Sequence, residues 1–459
     1  MKKQKIKDSR FPKINLIPYF IALWAVVFVF VTYNLVLAII PTTTRVSYTK
    51  EEFLAKAGDI NIPIIEINTL KKQEPYNKED YVDCSVSISN CDDELEVSMG
   101  EAGIRLRGNS TMTAPKKPYR IKFEKKQSLL GSEEKFKSWV LLADYFDQSS
   151  IRNFAAFSLG SKLDNLHFTP TAHHVALIMN GEFRGLYLLT DQVDEKDGRT
   201  SVEEDVEDMN INNPFDTIPF LVEVDEKALS EGVTGVDNFD IDFLFPAEIK
   251  YPESDERVDG SFDYIKEYVT AVFATLKSGE KMDVSFSDTP VGFEDLVDVD
   301  SFIDYYLMAQ IMVNLDAGKK SIYIHKPAGE KLQFGPIWDY DFSMAKDWHM
   351  PYTKGESELA NRYHFGWAFY HWFMKSEANY NKVANRFFEI KDHISDVVKM
   401  LGEYKSTIDN IALIDAEIWY GNTGEFQFDM QYSYVRIFLL DRKDFLEELF
   451  SQTYNEFIA

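Results

Sequence analysis

Only two cysteines, Cys84 and Cys91, occur in 459 residues. That excludes a disulfide-stapled scaffold, and also a thiolate zinc site, which needs more ligands than two. The pair lies close together in a hairpin-like stretch, so one bridge between them is geometrically allowed. Positive charge is also scarce. The 49 lysines and arginines face 75 acids, a formal net charge of -26, which argues against a nucleic-acid surface because that requires a basic face. A nucleotide stays compatible, since its site needs only a few local cations. Internal repeats and low-complexity tracts are missing. The chain is rich in aromatic residues and long enough for two or three lobes, so it is expected to fold.

The acidic bias reverses at the start, where Lys2, Lys3, Lys5, Lys7, Arg10 and Lys13 face a single acid, Asp8. Residues 16–40 then form an uncharged apolar run long enough to span a bilayer. The run exceeds a signal-peptide core, and no small-x-small cleavage site follows it, so it reads as a retained anchor. The basic flank stays in the cytoplasm, which puts everything after Pro41 outside the cell membrane.

The chemistry concentrates in residues 314–341. Asn314-Leu315-Asp316 leads through a short polar loop to Ser321-Ile322-Tyr323-Ile324-His325-Lys326. A turn at 327–331 follows, then Leu332-Gln333-Phe334-Gly335-Pro336 and Ile337-Trp338-Asp339-Tyr340-Asp341. The flanks of the turn alternate and carry β-branched and aromatic residues, which predicts a hairpin. Paired strands lie about 4.8 Å apart, so Asp316, before the first strand, meets Asp339 and Asp341, after the second. Converging carboxylates require a proton or a cation between them. For oxygen-only ligands that cation is Mg²⁺ or Mn²⁺.

Upstream, residues 103–107 and 119–123 alternate as strands, with Arg105 and Arg107 on one face of the first and Arg120 and Lys122 on one face of the second. The joining loop is rich in hydroxyl, amide and lysine groups, chemistry suited to phosphate oxygens. It contains no Gly-x-Gly-x-x-Gly and no Walker A sequence. Further strands are expected at 62–67, 81–88, 95–99, 139–143, 175–179 and 184–190, the last two joined by the Asn180-Gly181 turn. His173 and His174 read as locally bonded rather than metal-binding. Residues 191–213 read as an exposed acidic loop. Helical spacing runs from Phe262 to Leu276 and from Phe302 to Val313, and the chain after Asp341 reads as mostly helical, with Trp367, Trp372, Phe387 and Phe388 in its core.

Four blocks in this order resemble the CotH spore-coat kinase family. They are Arg107-Gly108-Asn109-Ser110 with Lys116-Lys117-Pro118-Tyr119-Arg120-Ile121-Lys122; Trp139-Val140-Leu141-Leu142 with Arg152-Asn153; Asn180-Gly181-Glu182-Phe183-Arg184-Gly185-Leu186-Tyr187; and Gly335-Pro336-Ile337-Trp338-Asp339-Tyr340-Asp341. The resemblance implies an α+β, divergent protein-kinase-like two-lobed fold, with a β-rich N-terminal lobe and a helical C-terminal lobe, preceded by one transmembrane helix. The expected division is a cytoplasmic tail at 1–15, the anchor at 16–40, a juxtamembrane linker with some helical character at 41–60, the N-terminal lobe at 61–225 and the C-terminal lobe at 226–459.

The implied activity is transfer of the γ-phosphoryl group of ATP to Ser or Thr of a protein substrate. Asp316 matches the catalytic-loop aspartate and Asp339 the metal-binding aspartate, with Asp341 beside it. Arg107, Asn109, Lys117 and Lys122 are the expected phosphate contacts, with the principal lysine left open. One position departs from the pattern. An ordinary kinase has an asparagine five residues after the catalytic aspartate, and here that residue is Ser321. A non-enzymatic surface protein using the same fold is the alternative expectation.

Overall fold

The computed structural model describes residues 45–458 apart from 93–96, 130, 133, 231–232, 242–245, 315 and 345–367. The expected anchor at 16–40 and Trp367 lie outside the described residues. Among the described residues, no helix is long and apolar enough to cross a membrane.

Seven strands form a closed barrel: β1 (Ile64–Thr69), β2 (Val82–Ser89), β3 (Val97–Leu106), β4 (Tyr119–Gln127), β5 (Phe136–Leu142), β6 (Ala172–Met179) and β7 (Glu182–Asp191). Their order is β1-β2-β3-β4-β5-β7-β6, and β1 closes the ring by pairing parallel with β6. Alternation explains the closure. Val82, Cys84, Val86 and Ile88 on β2, Ile104 and Leu106 on β3, and Tyr119, Ile121 and Phe123 on β4 all turn into one core with Trp139 and Leu141. A closed ring leaves no unpaired edge. Asn180 and Gly181 both take positive φ, 56° and 85°, as the two-residue β6–β7 turn requires.

Where the spacing predicts two strands, at 95–99 and 103–107, the structure has the single strand β3. A Cβ on Gly100 would stand 2.9 Å from the Phe123 ring, and one on Gly103 would stand 2.9 Å from Tyr81. These glycines therefore admit neighbouring rings and do not break the strand. Cys84 and Cys91 are free thiols.

A second, antiparallel sheet has the order β12-β11-β8-β10-β9. Its strands are β8 (Phe220–Val224), β9 (Asn238–Asp240), β10 (Pro246–Tyr251), β11 (Ile322–Lys326) and β12 (Gln333–Phe334). The expected hairpin is β11–β12, with Ile324 opposite Phe334. The main helices are α1 (Lys50–Ala57), α2 (Arg152–Gly160), α3 (Ser261–Ser278), α4 (Val299–Met312), α5 (Glu377–Tyr420) and α6 (Gly424–Phe450). The fold is α+β, β-rich towards the N-terminus and helical towards the C-terminus.

Helix α1, in the stretch expected to be a linker, is docked through Phe53, which stacks on Phe183 with ring centroids 3.8 Å apart. The stretch 191–213 divides: residues 203–208 and 210–213 are exposed as expected, but its first part is anchored. Buried Arg199 pairs with Asp191 and Asp194 and covers the Phe136 ring. Phe387 is buried, but the adjacent Phe388 is 37% exposed because it falls on the outer side of α5.

Candidate active site

Helix α4 ends at Val313, which adopts a left-handed φ of 46° and turns the chain into the loop that carries Asp316. Asn314 shapes this loop: its Oδ1 accepts from the Asp316 amide at 3.0 Å, and its Nδ2 donates to the Asp339 carbonyl at 3.5 Å. The β11–β12 hairpin then returns the chain to the same place. Asp316, Asp339 and Asp341 all line one cavity of about 850 Å³.

Asp339 holds a left-handed φ of 63°, and Ser321 Oγ donates to its Oδ2 at 3.3 Å. Burial pushes its carboxyl above the ordinary carboxylate range, and the charge of Asp316 adds to the rise. Asp341 is also buried. On the rim, Lys320 Nζ lies 3.7 Å from Asp316 Oδ1 and 3.0 Å from Glu226.

Cations line the same cavity. Arg107 lies over the Trp338 ring, 5.2 Å from its centroid, within electrostatic reach of Asp339, Glu223 and Tyr323. Arg120 and Asn109 also line the space, with Asn109 Oδ1 accepting from Lys78 Nζ at 3.1 Å. Lys117 and Lys122 do not line it. Lys117 Nζ donates to the Met112 carbonyl at 2.8 Å. Lys122 shares the outward face of β4 with Arg120 but sits two residues farther along, exposed and beyond the cavity. Of the lysines in that block, Lys116 lines the cavity.

Lys116 is 1% exposed, ion-paired to Asp415 of α5 at 2.8 Å, and its Nζ donates to the Leu186 carbonyl at 2.5 Å. Asp415 Oδ1 also accepts from the Leu186 amide at 2.9 Å. Gly185, at φ 128°, is what lets α5 come this close, because a Cβ there would stand 2.0 Å from Asp415 Oδ1. The sequence carries a faint signal for Asp415, a lone acid inside the apolar run Ala412-Leu413-Ile414-Asp415-Ala416.

Asp144, where the chain leaves β5, is another carboxylate on the cavity wall. Burial, with the nearby Asp147, pushes it up to about 7. The block Arg152-Asn153 ties α2 to the Asp339–Asp341 turn. Arg152 pairs with Asp147 and donates through Nε to the Ser343 carbonyl at 3.0 Å. Asn153 Oδ1 accepts from the Tyr340 amide at 2.7 Å.

Among the described residues, no group of three His, Cys, Asp or Glu side chains is placed to hold a metal ion. The acids at Asp339 and Asp341 fit the other common arrangement, in which one or two carboxylates hold Mg²⁺ and substrate phosphates and water complete its shell. The raised Asp339 carboxyl suits that role, since a cation offsets the burial and the repulsion that raise it. His174 is locally bonded: its ring contacts the Ser150 carbonyl at 2.7 Å and Tyr404 Oη at 3.1 Å.

No curated protein matches the chain. The family model described as CotH kinase protein matches residues 104–446, a span that contains every cavity residue discussed above except Lys78, and the chain belongs to that family.

Proposed function

We propose that the chain is an ATP-dependent protein kinase with a divergent kinase-like two-lobed fold, transferring the γ-phosphoryl group to Ser or Thr of a protein. The observation that carries this reading is that acids and cations line one cavity. Asp316, Asp339 and Asp341 line it together with Arg107 and the buried Lys116. Phosphoryl transfer asks for that set: a carboxylate to orient the acceptor hydroxyl, acids for the metal, and cations on the phosphates.

In this reading Asp316, which the Asn314 turn holds at the mouth, orients the acceptor hydroxyl. Asp339 and Asp341 would hold Mg²⁺ or Mn²⁺, which when bound neutralises phosphate charge. Lys116, kept in place by Asp415, and Arg107, backed by Trp338, hold the phosphate oxygens. The connection leaving β7, through Gln192 and Val193, borders the same cavity. Residues 16–40 anchor the enzyme with its main domain outside the membrane.

The reading is tested with the full chain by thermal stabilisation with ATP and Mn²⁺, beside an autophosphorylation assay. Stabilisation that requires both ligands supports it. Ser321 in place of asparagine favours a second reading, a surface protein that binds without catalysis. Metal-independent behaviour and no transfer would favour that reading.

A further inference from the structure

Resting on the kinase reading, we propose that Asp144 and Asn153 form a positioning relay that aims the peptide between Asp339 and Asp341, and so sets the two metal-facing acids. The relay is continuous in the structure. Asn153 Nδ2 donates to Asp144 Oδ1 at 3.0 Å, and Asn153 Oδ1 accepts from the Tyr340 amide at 2.7 Å. Tyr340 is the residue between the two acids. Asp144 and Asn153 are 8% and 3% exposed, so water competes little for either bond.

The orientation of an asparagine amide is set by its partners. Here Asp144 accepts and therefore takes the amino end, which leaves the carbonyl end for Tyr340. Without an acceptor at 144 the amide loses that constraint, and the Tyr340 amide loses its fixed partner. Asp144 at one end of the relay, and Asp339 next to Tyr340 at the other, are held in the left-handed region, at φ 46° and φ 63°. Such backbone persists only where the surroundings over-determine it.

The groups facing Asp144 are Asp147 from its own turn, Lys116 from the loop before β4 and Asp415 from α5. A carboxyl with a titration point pushed up to about 7 keeps an acceptor oxygen whether or not it holds a proton. The relay therefore depends on the acceptor and not on the charge. Outer partners of this kind typically change metal affinity by about 10- to 100-fold when removed.

The test uses the full chain with three variants, Asp144→Ala, Asn153→Ala and Asp144→Asn. Amide hydrogen exchange is followed in the segment containing Tyr340, and Mn²⁺ binding is titrated with and without ATP. In the two alanine variants, Tyr340 exchange should rise by at least about tenfold and Mn²⁺ affinity in the presence of ATP should fall about tenfold, while in Asn153→Ala metal-free ATP binding moves less than about twofold. Asp144→Asn keeps an acceptor and should match the wild type in exchange. A part that only stabilised the fold would shift both binding constants together. If Asp144→Ala does not fold, Asp144→Ser, too short to reach Asn153, takes its place. Unchanged Tyr340 exchange in the variants at both positions overturns the relay, whether or not the wild type binds ATP. Failure of the wild type to bind ATP overturns the kinase reading alone.

Discussion

Lys116 Nζ lies 2.8 Å from Asp415 Oδ1, joining a loop of the barrel to the longest helix, with both side chains almost fully withdrawn from water. Removing the acid alone leaves a buried ammonium without its counter-charge. Asp415→Ala is expected to lose about 3–5 kcal/mol in denaturant unfolding. Lys116→Met should be milder, because the Leu186 amide still donates to Asp415, but metal-dependent ATP binding should fall by at least about tenfold as a charge-assisted contact is lost. Gly185→Ala should resemble Asp415→Ala, since its Cβ would displace the carboxylate.

The two aspartate roles separate in binding and transfer. Asp316→Asn should abolish transfer with nucleotide affinity nearly unchanged, because an acceptor-facing carboxylate contributes to chemistry more than to ground-state binding. Asp339→Asn should weaken Mn²⁺-dependent ATP binding as well, as it removes a charged oxygen ligand. Calorimetry and a transfer assay on each folded variant decide. Transfer that survives both substitutions would sink the kinase reading.

Metal affinity should depend on pH in a defined direction. Burial and Asp316 raise the Asp339 carboxyl above its ordinary value, so at acidic pH a proton occupies the place of the cation. Mn²⁺ affinity measured with ATP should strengthen as pH rises from 5 and level off once Asp339 is ionised. In Asp339→Asn this dependence should flatten; an equally steep profile would assign the proton elsewhere.

Buried His174 titrates near 4, lowered from 6.5 by burial. Below pH 6.5 the unfolded chain takes up a proton that the folded chain refuses until about pH 4, so this contribution to stability is lost as pH falls through that window. Between pH 7 and pH 5 the loss is about 2 kcal/mol for this one group. His174→Gln should remove that part of the acid sensitivity, which unfolding measured at the two pH values will show.

The outward topology is checked on intact cells. Added protease should digest the region after Pro41, and protection of that region would place the domain inside.

Much of this architecture is local and therefore legible in the residues. Two-residue alternation in Tyr119, Ile121 and Phe123 fixes which side of β4 enters the barrel. The Asn180-Gly181 turn fixes the register of β6 and β7. The convergence of Asp316 with Asp339 and Asp341 follows from one hairpin whose strands are near neighbours in sequence. Alternation gives the side of a strand but not how far along it a cavity reaches, so Arg120 lines the site and Lys122 does not. Of two consecutive lysines, only Lys116 is turned inward, because α5 docks against β7 and brings Asp415 to it. Asp144 is joined to the Asp339–Asp341 turn through Asn153 of α2 and Tyr340, which lies far away in sequence. Those partners come from separate elements, and which polar group each buried charge meets was decided by how the helices pack on the sheets.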